Sequence, residues 1–227
     1  TIDKPKCLVE IDGVSLLERQ LKVLRKEEIN HIVLIGGYRH EQLNIPGTKL
    51  YINEEYNSSN MVWTLFSASD EMDGDVIISY GDIVYSRTVL HKILETKSDI
   101  GVAIDVEWEN YWYSRMENPL EDVETLRLGN ENQIVEIGKR PKSLDEIEGQ
   151  FMGLIKLTRH GVETFKAMFT EANNAGNVEG KPVKMAYMTD FLQFIIRHGH
   201  EVQGVPVDGD WIEVDTESDL VLSENKK

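Results

Sequence analysis

The sequence predicts an α/β protein with a mixed, mostly parallel sheet that carries helices on both faces. Two observations support this fold class. In the first half of the chain, short runs rich in valine and isoleucine alternate with amphipathic stretches, a pattern typical of βαβ units. One run, residues 76–81, is almost unbroken in its apolar character, which favours a central strand buried on both faces.

The remaining elements of the first half follow from spacing and turn residues. Leucines at helical spacing in residues 17–24 predict a helix, and residues 31–37 predict a strand that ends in glycines. Residues 49–53 predict a shorter strand. Ser58 or Ser59 is expected to cap the helix that follows.

The second half predicts antiparallel strands and further helices, so the whole sheet should be mixed. The predicted elements are, in order, a hairpin (123–128 and 133–138), a strand (151–158), a helix near 161–169, a loop (173–184), a helix ended by Gly199 (188–199), a strand (201–207) and a short strand (211–215). Thr216 and Asp219 are expected to form a capping box at the start of a last helix.

Composition favours one domain that handles small molecules. The 227 residues are 41% hydrophobic, enough for one sizeable core, and no stretch is typical of an interdomain linker. A formal charge of -16 disfavours nucleic acid and anionic lipid as partners. Cys7 is the single cysteine and cannot form an internal disulfide. Neither a membrane span nor a signal peptide is visible, so a cytoplasmic protein is expected.

Two aspartates stand where strands end. Asp82 follows the central strand, and Asp215 ends the last short strand. If both corners share one edge of the sheet, the two carboxylates can hold one Mg²⁺, which takes one or two protein oxygens and completes its shell with water and phosphate. The alternative from spacing alone is that Asp82 starts a turn and Asp215 caps a helix.

Basic residues are few, so their positions are informative. Lys6 follows Pro5 just before an apolar run and could meet a phosphate, although a solvated lysine is the commoner fate. Lys139, Arg140 and Lys142 form the densest basic cluster, directly after a predicted strand. This cluster predicts an anion site or, alternatively, a charged hairpin tip that favours solubility.

Five segments together resemble the nucleotidyltransferases of the sugar-phosphate and phosphocholine type. They are "DKPKCLVEIDGVSLLERQLKVL", "NSSNMVWTLFSA", "VIISYGDIVY", "GQFMGLIKL" and "WIEVDTESDL", in the family's order and spanning residues 3–222. They look most like cytidylyltransferases of small phospho- or phosphonate-amines. The resemblance implies a Rossmann-like α/β fold, transfer of a nucleotidyl group from CTP to a phosphate with release of pyrophosphate, Mg²⁺ as cofactor, and a homodimer, since relatives are commonly dimers.

The resemblance also assigns catalytic and metal-binding roles. Lys6 matches the family's signature lysine, which neutralises phosphate charge, and Asp82 and Asp215 match its two metal-holding aspartates. Lys139 matches loosely, because many relatives place a lysine directly before proline and here Arg140 holds that position. Either cation could serve.

Other residues match the substrate side of the family. Asn60 resembles an asparagine near nucleotide or acceptor, with helix capping as the alternative. Asp190 is expected either to face the pocket or to orient a helix. The remaining matches, which would line the strand end and the acceptor side, are Tyr80, Gly81, Gly149, Gln150 and Gly153.

An aromatic segment, residues 107–115, suggests a site for an amine. Trp112 or Tyr113 with Glu107 would form a cage for a cationic acceptor, and Arg115 would hold the acceptor's phosphate. The alternative is a strand pair whose rings pack over the core or across a dimer interface.

Family members begin with a strand and a G-x-G-x-R loop that cradles the triphosphate, and both are missing from the given sequence. Either the chain is a trimmed version of a longer protein, or it is a degenerate relative. We favour the first, because loss of a sheet strand would expose its neighbours' edges.

The sequence leaves alternatives open for both the acceptor and the activity. Phosphocholine, 2-aminoethylphosphonate and phosphoglutamine all fit a cytidylyltransferase of this branch, and the preference for CTP rests on the resemblance. A sugar-1-phosphate nucleotidyltransferase is the nearest other enzyme, and a non-catalytic relative is the third reading.

Overall fold

A computed structural model describes residues 3–216 and 218–221. Its strands are β1 (Glu10–Ile11), β2 (Val14–Ser15), β3 (Val33–Gly36), β4 (Lys49–Ile52), β5 (Val76–Ser79), β6 (Ile83–Tyr85), β7 (Ile100–Asp105), β8 (Leu126–Leu128), β9 (Ile134–Ile137), β10 (Gln150–Leu157), β11 (Asn177–Val178), β12 (Lys181–Pro182), β13 (Gln203–Val207) and β14 (Trp211–Glu213). Its helices are α1 (Leu16–Lys26), α2 (Met61–Phe66), α3 (Arg87–Glu95), α4 (Trp108–Arg115), α5 (Arg159–Ala175) and α6 (Met188–Arg197). Short 3₁₀ helices cover Lys6–Leu8, His40–Gln42, Tyr56–Ser58, Ser69–Glu71, Pro119–Glu121, Asn130–Asn132, Leu144–Glu146 and Val183–Met185.

The central sheet is mixed, as predicted, but among the described residues two of its three strand pairings are antiparallel, so it is not mostly parallel, and β5, predicted as a central strand, lies at its edge. Its strand order is β13-β7-β10-β5, with β13 parallel to β7 and β10 antiparallel to both of its neighbours. β3 and β4 form a separate parallel pair, and β8 and β9 form the predicted hairpin. β14 lies antiparallel to β6, which brings the end of the chain beside the segment that follows β5.

The sheet is buried on both faces, which explains the apolar runs in its strands. All six residues of β7 are buried. One face packs against α5 and α6 through Phe165 and Phe191, and the other packs against α1, α3 and α4 through residues such as Leu21 and Leu90. A helix-covered sheet of this kind confirms the predicted layers.

Capping interactions determine where α1 and α5 begin. Ser15 and Glu18 form a reciprocal capping box that starts α1, so that its leucine face meets the sheet. Thr158 accepts a hydrogen bond from the amide of Gly161 and starts α5, and Gly176, with φ of 76°, ends it. At the end of the chain, the predicted box between Thr216 and Asp219 is confirmed by reciprocal hydrogen bonds.

Three local predictions are wrong. α2 has Asn60 rather than a serine at its N-cap and no side-chain cap bond, because the Ser59 hydroxyl donates to the carbonyl of Glu55 instead. The aromatic segment forms α4, not a strand pair. The predicted loop 173–184 contains the end of α5 and the hairpin of β11 and β12, whose turn residues Glu179 and Gly180 both have positive φ, as a tight hairpin requires.

A cavity of about 1220 Å³ separates β3 from β5. Among residues 3–216 and 218–221, β3 pairs only with β4, and β5 pairs only with β10, so each presents an unpaired edge to the cavity. Half-buried side chains of both strands, Leu34 and Ile77 among them, line its walls. Within the described part of the chain, no helix has the length and apolar character of a membrane span.

Candidate active site

Two distant corners of the chain meet at one edge of the sheet, as the sequence predicts. Asp82 lies three residues after β5, and Asp215 lies two residues after β14. The amide of Val214 donates to the carbonyl of Asp82 at 3.0 Å and joins the two corners directly. The carboxylates of both aspartates are therefore neighbours.

A third carboxylate completes this cluster. Asp82, Glu213 and Asp215 each offer one oxygen, and these three oxygens lie within 4.8 Å of one another. Glu213 and Asp215 are two residues apart on extended backbone, which places both side chains on the same face. Glu213 was not predicted from the sequence, although in "WIEVD" the acidic residues alternate with apolar ones, and this alternation places Glu213 on the same face as Asp215.

Lys6 bridges the two aspartates. Its Nζ lies 2.9 Å from Oδ2 of Asp82 and also bonds Oδ1 of Asp215. Burial lowers the pKa of Lys6, but the two carboxylates outweigh this effect and raise the pKa above its ordinary value. Lys6 is thus a charged, half-buried member of the cluster and not a freely solvated lysine.

Arg115, the last residue of α4, contacts three carboxylates. Its Nη1 lies 2.8 Å from Glu213, its Nη2 lies 2.7 Å from Asp215, and its Nε lies 2.9 Å from Asp219. The side chain is 4% exposed. The prediction that Arg115 holds an acceptor phosphate is therefore wrong for this structure, because its guanidinium is buried and bound to protein carboxylates.

The charges in this cluster are unbalanced. Four carboxylates meet two cations, which leaves a formal excess of two negative charges when all four carboxylates are ionised. Burial, together with the charge of Asp215, raises the pKa of Glu213 to about 7. Burial also acts to raise the pKa of Asp215, but the bonds from Lys6 and Arg115 outweigh it and hold that pKa below its ordinary value.

The cluster fits a divalent cation. Oδ1 of Asp82 is buried and has no hydrogen-bond partner among the described residues, so it is an acceptor that lacks a donor or an ion. Carboxylate oxygens are the ligands that Mg²⁺ prefers. The two positive charges of one such ion would balance this formal excess of two negative charges.

Tyr80 and the glycines beside it lie next to the cluster. Burial raises the pKa of Tyr80 well above its ordinary value, and nearby negative charges add to this, namely Asp82, Glu124 and Glu213. Gly81 packs against the Lys6–Leu8 turn, since a Cβ on it would lie 3.3 Å from Cβ of Cys7. Tyr80 and Gly81 therefore lie with Asp82 just after the end of β5, where the sequence predicts them.

Packing against Tyr80 explains why position 153 is a glycine, and this reason was not predicted from the sequence. Gly153 has φ of 75° within β10, and a Cβ on it would lie 2.6 Å from Cγ of Tyr80. The ring of Tyr80, rather than a ligand, occupies the space beside this glycine. Contact between Gly153 and an acceptor stays a prediction.

Glu124 and Asp190 form a second acidic region near Tyr80, and Gln150 lies beside Glu124. The Gln150 side chain is buried and donates to the carbonyl of Glu124 at 3.1 Å; Gly149, just before it, lies against Asp105. Asp190 accepts from the amide of Tyr187 and pairs with Lys181 at 2.7 Å, so it orients α6, one of its two predicted roles. The sequence analysis did not single out Glu124.

Asn60 and Lys139 have other partners than those considered from the sequence. The Asn60 side chain donates to the carbonyl of Met185 at 2.9 Å, so the capping alternative is wrong, while Asn60 does line the cavity together with Tyr80. Lys139 pairs with Glu136 at the end of β9. The roles of Lys139 and Arg140 on a phosphate stay predictions.

The aromatic segment supports the cluster instead of enclosing a ligand. Trp112 is 4% exposed, and its indole donates to Asp122 at 2.9 Å. A ligand cage that uses Trp112 is therefore contradicted by burial. Tyr113 is 51% exposed, and its part in such a cage with Glu107 stays a prediction.

Comparisons with known proteins show which family the chain belongs to. No family model matches the chain. CTP:phosphoglutamine cytidylyltransferase of Campylobacter jejuni is 35% identical, with coverage of 100% of this chain and 93% of that protein. Choline-phosphate cytidylyltransferase of Haemophilus influenzae is 34% identical over 37% of this chain and 37% of that protein. The solved inositol-1-phosphate CTP transferase from T. maritima is similar in fold, with a TM-score of 0.74 at 20% identity over 100% of this chain and 89% of that one.

Proposed function

Because the chain belongs to the nucleotidyltransferase family that includes CTP:phosphoglutamine cytidylyltransferase, we propose that it transfers CMP from CTP to a small phosphorylated amine or amide, or to the matching phosphonate. Pyrophosphate is the second product. The observation that carries this proposal is the meeting of Lys6, Asp82 and Asp215, from three distant parts of the chain, at one edge of the sheet.

The reaction needs no protein nucleophile. An oxygen of the acceptor's phosphate forms a bond to the α-phosphorus of CTP, and the bond from that phosphorus to the α–β bridging oxygen breaks. The departing pyrophosphate takes the electron pair. A phosphate monoester is largely ionised at neutral pH, so the protein supplies alignment and charge rather than a base.

The clustered residues divide this work between them. Asp82, Glu213 and Asp215 would hold Mg²⁺, which when bound neutralises charge on the triphosphate. Lys6, which bonds two of these carboxylates, turns its ammonium toward the phosphates when they arrive. A lysine with a raised pKa keeps its positive charge throughout and stabilises charge on the leaving group.

The second acidic region supports an acceptor that bears an amine or amide. Glu124 lies near Tyr80, and burial raises the pKa of its carboxyl, an effect that the charge of Asp190 increases. Such a carboxyl gains from a hydrogen-bond donor or a positive charge on the ligand. Phosphoglutamine, phosphocholine and 2-aminoethylphosphonate are the acceptors to compare.

The predicted additional N-terminal strand with its glycine-rich loop is part of this proposal. The cavity between β3 and β5 supports it, because within residues 3–216 and 218–221 both facing edges are unpaired, and apolar side chains such as Leu34 and Ile77 line the cavity. A single domain, a homodimer and a cytoplasmic location stay predictions.

The direct test is ³¹P NMR of a mixture of CTP, phosphoglutamine and Mg²⁺ with the protein. We expect new diphosphate resonances from the CMP-linked product together with pyrophosphate. The Asp82→Asn variant is the control and should give neither. Product formation by that variant at the wild-type rate would contradict the assigned site.

A further inference from the structure

Arg115 binds one oxygen of each carboxylate on the β14 side of the cluster. Nη1 donates to Oε2 of Glu213, and Nη2 donates to Oδ2 of Asp215. The other oxygen of Asp215, Oδ1, bonds Lys6, which in turn contacts Asp82. The guanidinium therefore holds one side of Asp215 while the other side faces the cluster.

The guanidinium is itself held in place. Its Nε lies 2.9 Å from Oδ1 of Asp219, and its carbon lies 5.5 Å from the ring centre of Tyr111 and 5.3 Å from that of Trp112. Asp219 also accepts hydrogen bonds from the amides of Asp215 and Thr216. A planar guanidinium fixed in this way can orient two carboxylates at once.

The Tyr111 hydroxyl fixes the backbone of the same strand. It accepts a hydrogen bond from the amide of Glu213 at 2.9 Å and lies 3.2 Å from the carbonyl of that residue. Thus α4 contacts both the main chain and the side chain of Glu213. The aromatic segment that the sequence connected with an acceptor amine serves here as the support of the carboxylates.

We propose that Arg115 is a positioning residue that sets the orientation of Glu213 and Asp215, so that the oxygens that it does not bind converge with Asp82 on a divalent cation. The inference rests on the proposed function, in particular on its metal site. Groups that orient metal ligands in this way contribute about 10- to 100-fold to metal affinity.

A simple role in charge compensation predicts the opposite result. Removal of a positive charge beside three carboxylates strengthens their Coulomb attraction for a cation. Loss of orientation weakens binding, because the carboxylates must then be ordered by the ion itself. The direction of the change in affinity therefore separates positioning from compensation.

The variant that isolates positioning is the double substitution Arg115→Met with Asp219→Asn. It removes one positive and one negative charge, so the net charge of the cluster is unchanged, and it leaves no unpaired buried carboxylate at position 219. Arg115→Lys is the second variant, since it keeps the charge and loses the two-pronged contact. Arg87→Met, at a mostly exposed arginine paired with Glu27, is the matched control.

The measurement is a Mn²⁺ titration followed by the EPR signal of free Mn²⁺, with circular dichroism to verify the fold of each variant. Asp215→Asn supplies the baseline for binding elsewhere on the acidic surface. We expect affinity about 10- to 100-fold weaker for the double variant, an intermediate loss for Arg115→Lys, and wild-type affinity for Arg87→Met.

The possible failures are distinguishable. Wild-type protein that binds no more Mn²⁺ than Asp215→Asn would overturn the metal site, and with it this inference. Wild-type binding combined with equal or tighter binding by the folded double variant would overturn the positioning role alone and leave the proposed function standing. If the double variant does not fold, unchanged affinity in Arg115→Lys overturns the positioning role.

Discussion

A single methyl group added at Gly153 tests the packing that places Tyr80 beside the active site. The backbone of Gly153 has φ of 75°, so alanine there costs about 1–2 kcal/mol in backbone strain. Its Cβ would also lie 2.6 Å from Cγ and 2.9 Å from Cβ of Tyr80. The ring packs edge-on against Phe151, and overpacking of this kind costs about 1–3 kcal/mol more.

Gly74→Ala is the matched control for this substitution. Gly74 has nearly the same backbone angle, φ of 74°, but a Cβ on it would meet nothing within 4 Å. We therefore expect Gly74→Ala to lose about 1–2 kcal/mol of unfolding free energy from strain alone, whereas Gly153→Ala should lose about 2–5 kcal/mol. The difference between the two variants measures the overlap with Tyr80.

Urea unfolding and pyrophosphate release provide the two assays. With a slope of about 2 kcal/mol per molar urea, the midpoint should fall by about 1–2.5 M for Gly153→Ala and by about 0.5–1 M for the control. The rate of pyrophosphate release should fall only in Gly153→Ala, because Tyr80 adjoins Asp82. Equal midpoints and equal rates in the two variants would refute the assignment of Gly153 to the packing of Tyr80.

Three further substitutions test individual groups. Asp215→Ala should abolish pyrophosphate release while circular dichroism shows an intact fold, and retained turnover would remove the metal site. Lys6→Ala should lower kcat/KM for CTP by about 10²- to 10³-fold, the usual loss when one charge-stabilising contact is removed, and unchanged kinetics would return Lys6 to a surface role. Glu124→Gln tests the pH dependence of stability. Burial raises the pKa of Glu124 above 4.5, so the ionised carboxylate destabilises the folded state. The stability of the wild-type protein therefore falls as the pH rises through that raised pKa. The glutamine variant should therefore have the higher urea midpoint at pH 8 and an equal midpoint at pH 4; equal midpoints at both would contradict the assigned burial.

The sequence could predict the parts of the site that follow from strand ends. Asp82 and Asp215 lie where apolar runs stop, and ligands of α/β sheets bind at such strand ends. The antiparallel pairing of β14 with β6 is what brings the two positions together. Lys6 was found because a Pro-Lys pair precedes an apolar run. Glu213 was missed although it lies two residues before Asp215, and on extended backbone this spacing already places both side chains on one face.

The role of Arg115 could not be read from local sequence. Its partners Glu213, Asp215 and Asp219 are about a hundred positions away, and only the packing of α4 against β14 brings them together. The neighbouring tryptophan gave a misleading signal for the same reason. An aromatic beside acids is compatible with a ligand cage or with a core, and burial, which depends on the whole fold, decides between them.

The fold was predictable where patterns are long and periodic. The leucine face of α1 specified a buried helix. The apolar run of β5 specified a strand but not its place, since among the described residues β5 lies at the edge of the central sheet and only Ile78 of its four residues is buried. The start of α2 depended on whether the Ser59 hydroxyl caps the helix or bonds the carbonyl of Glu55, which only the structure shows. The hairpin of β11 and β12 was missed because its strands are only two residues long. Such short elements carry almost no periodicity.

The most direct test of the central claim is pyrophosphate release by the protein with its native N-terminus and Mg²⁺, measured for each of the four NTPs against four acceptors. These acceptors are phosphoglutamine, phosphocholine, 2-aminoethylphosphonate and glucose 1-phosphate. We predict release with CTP and one of the three nitrogen-bearing acceptors, and none with glucose 1-phosphate. Release with glucose 1-phosphate alone, or no release by folded protein with any pair, would contradict the assignment as a cytidylyltransferase of small phosphorylated amines.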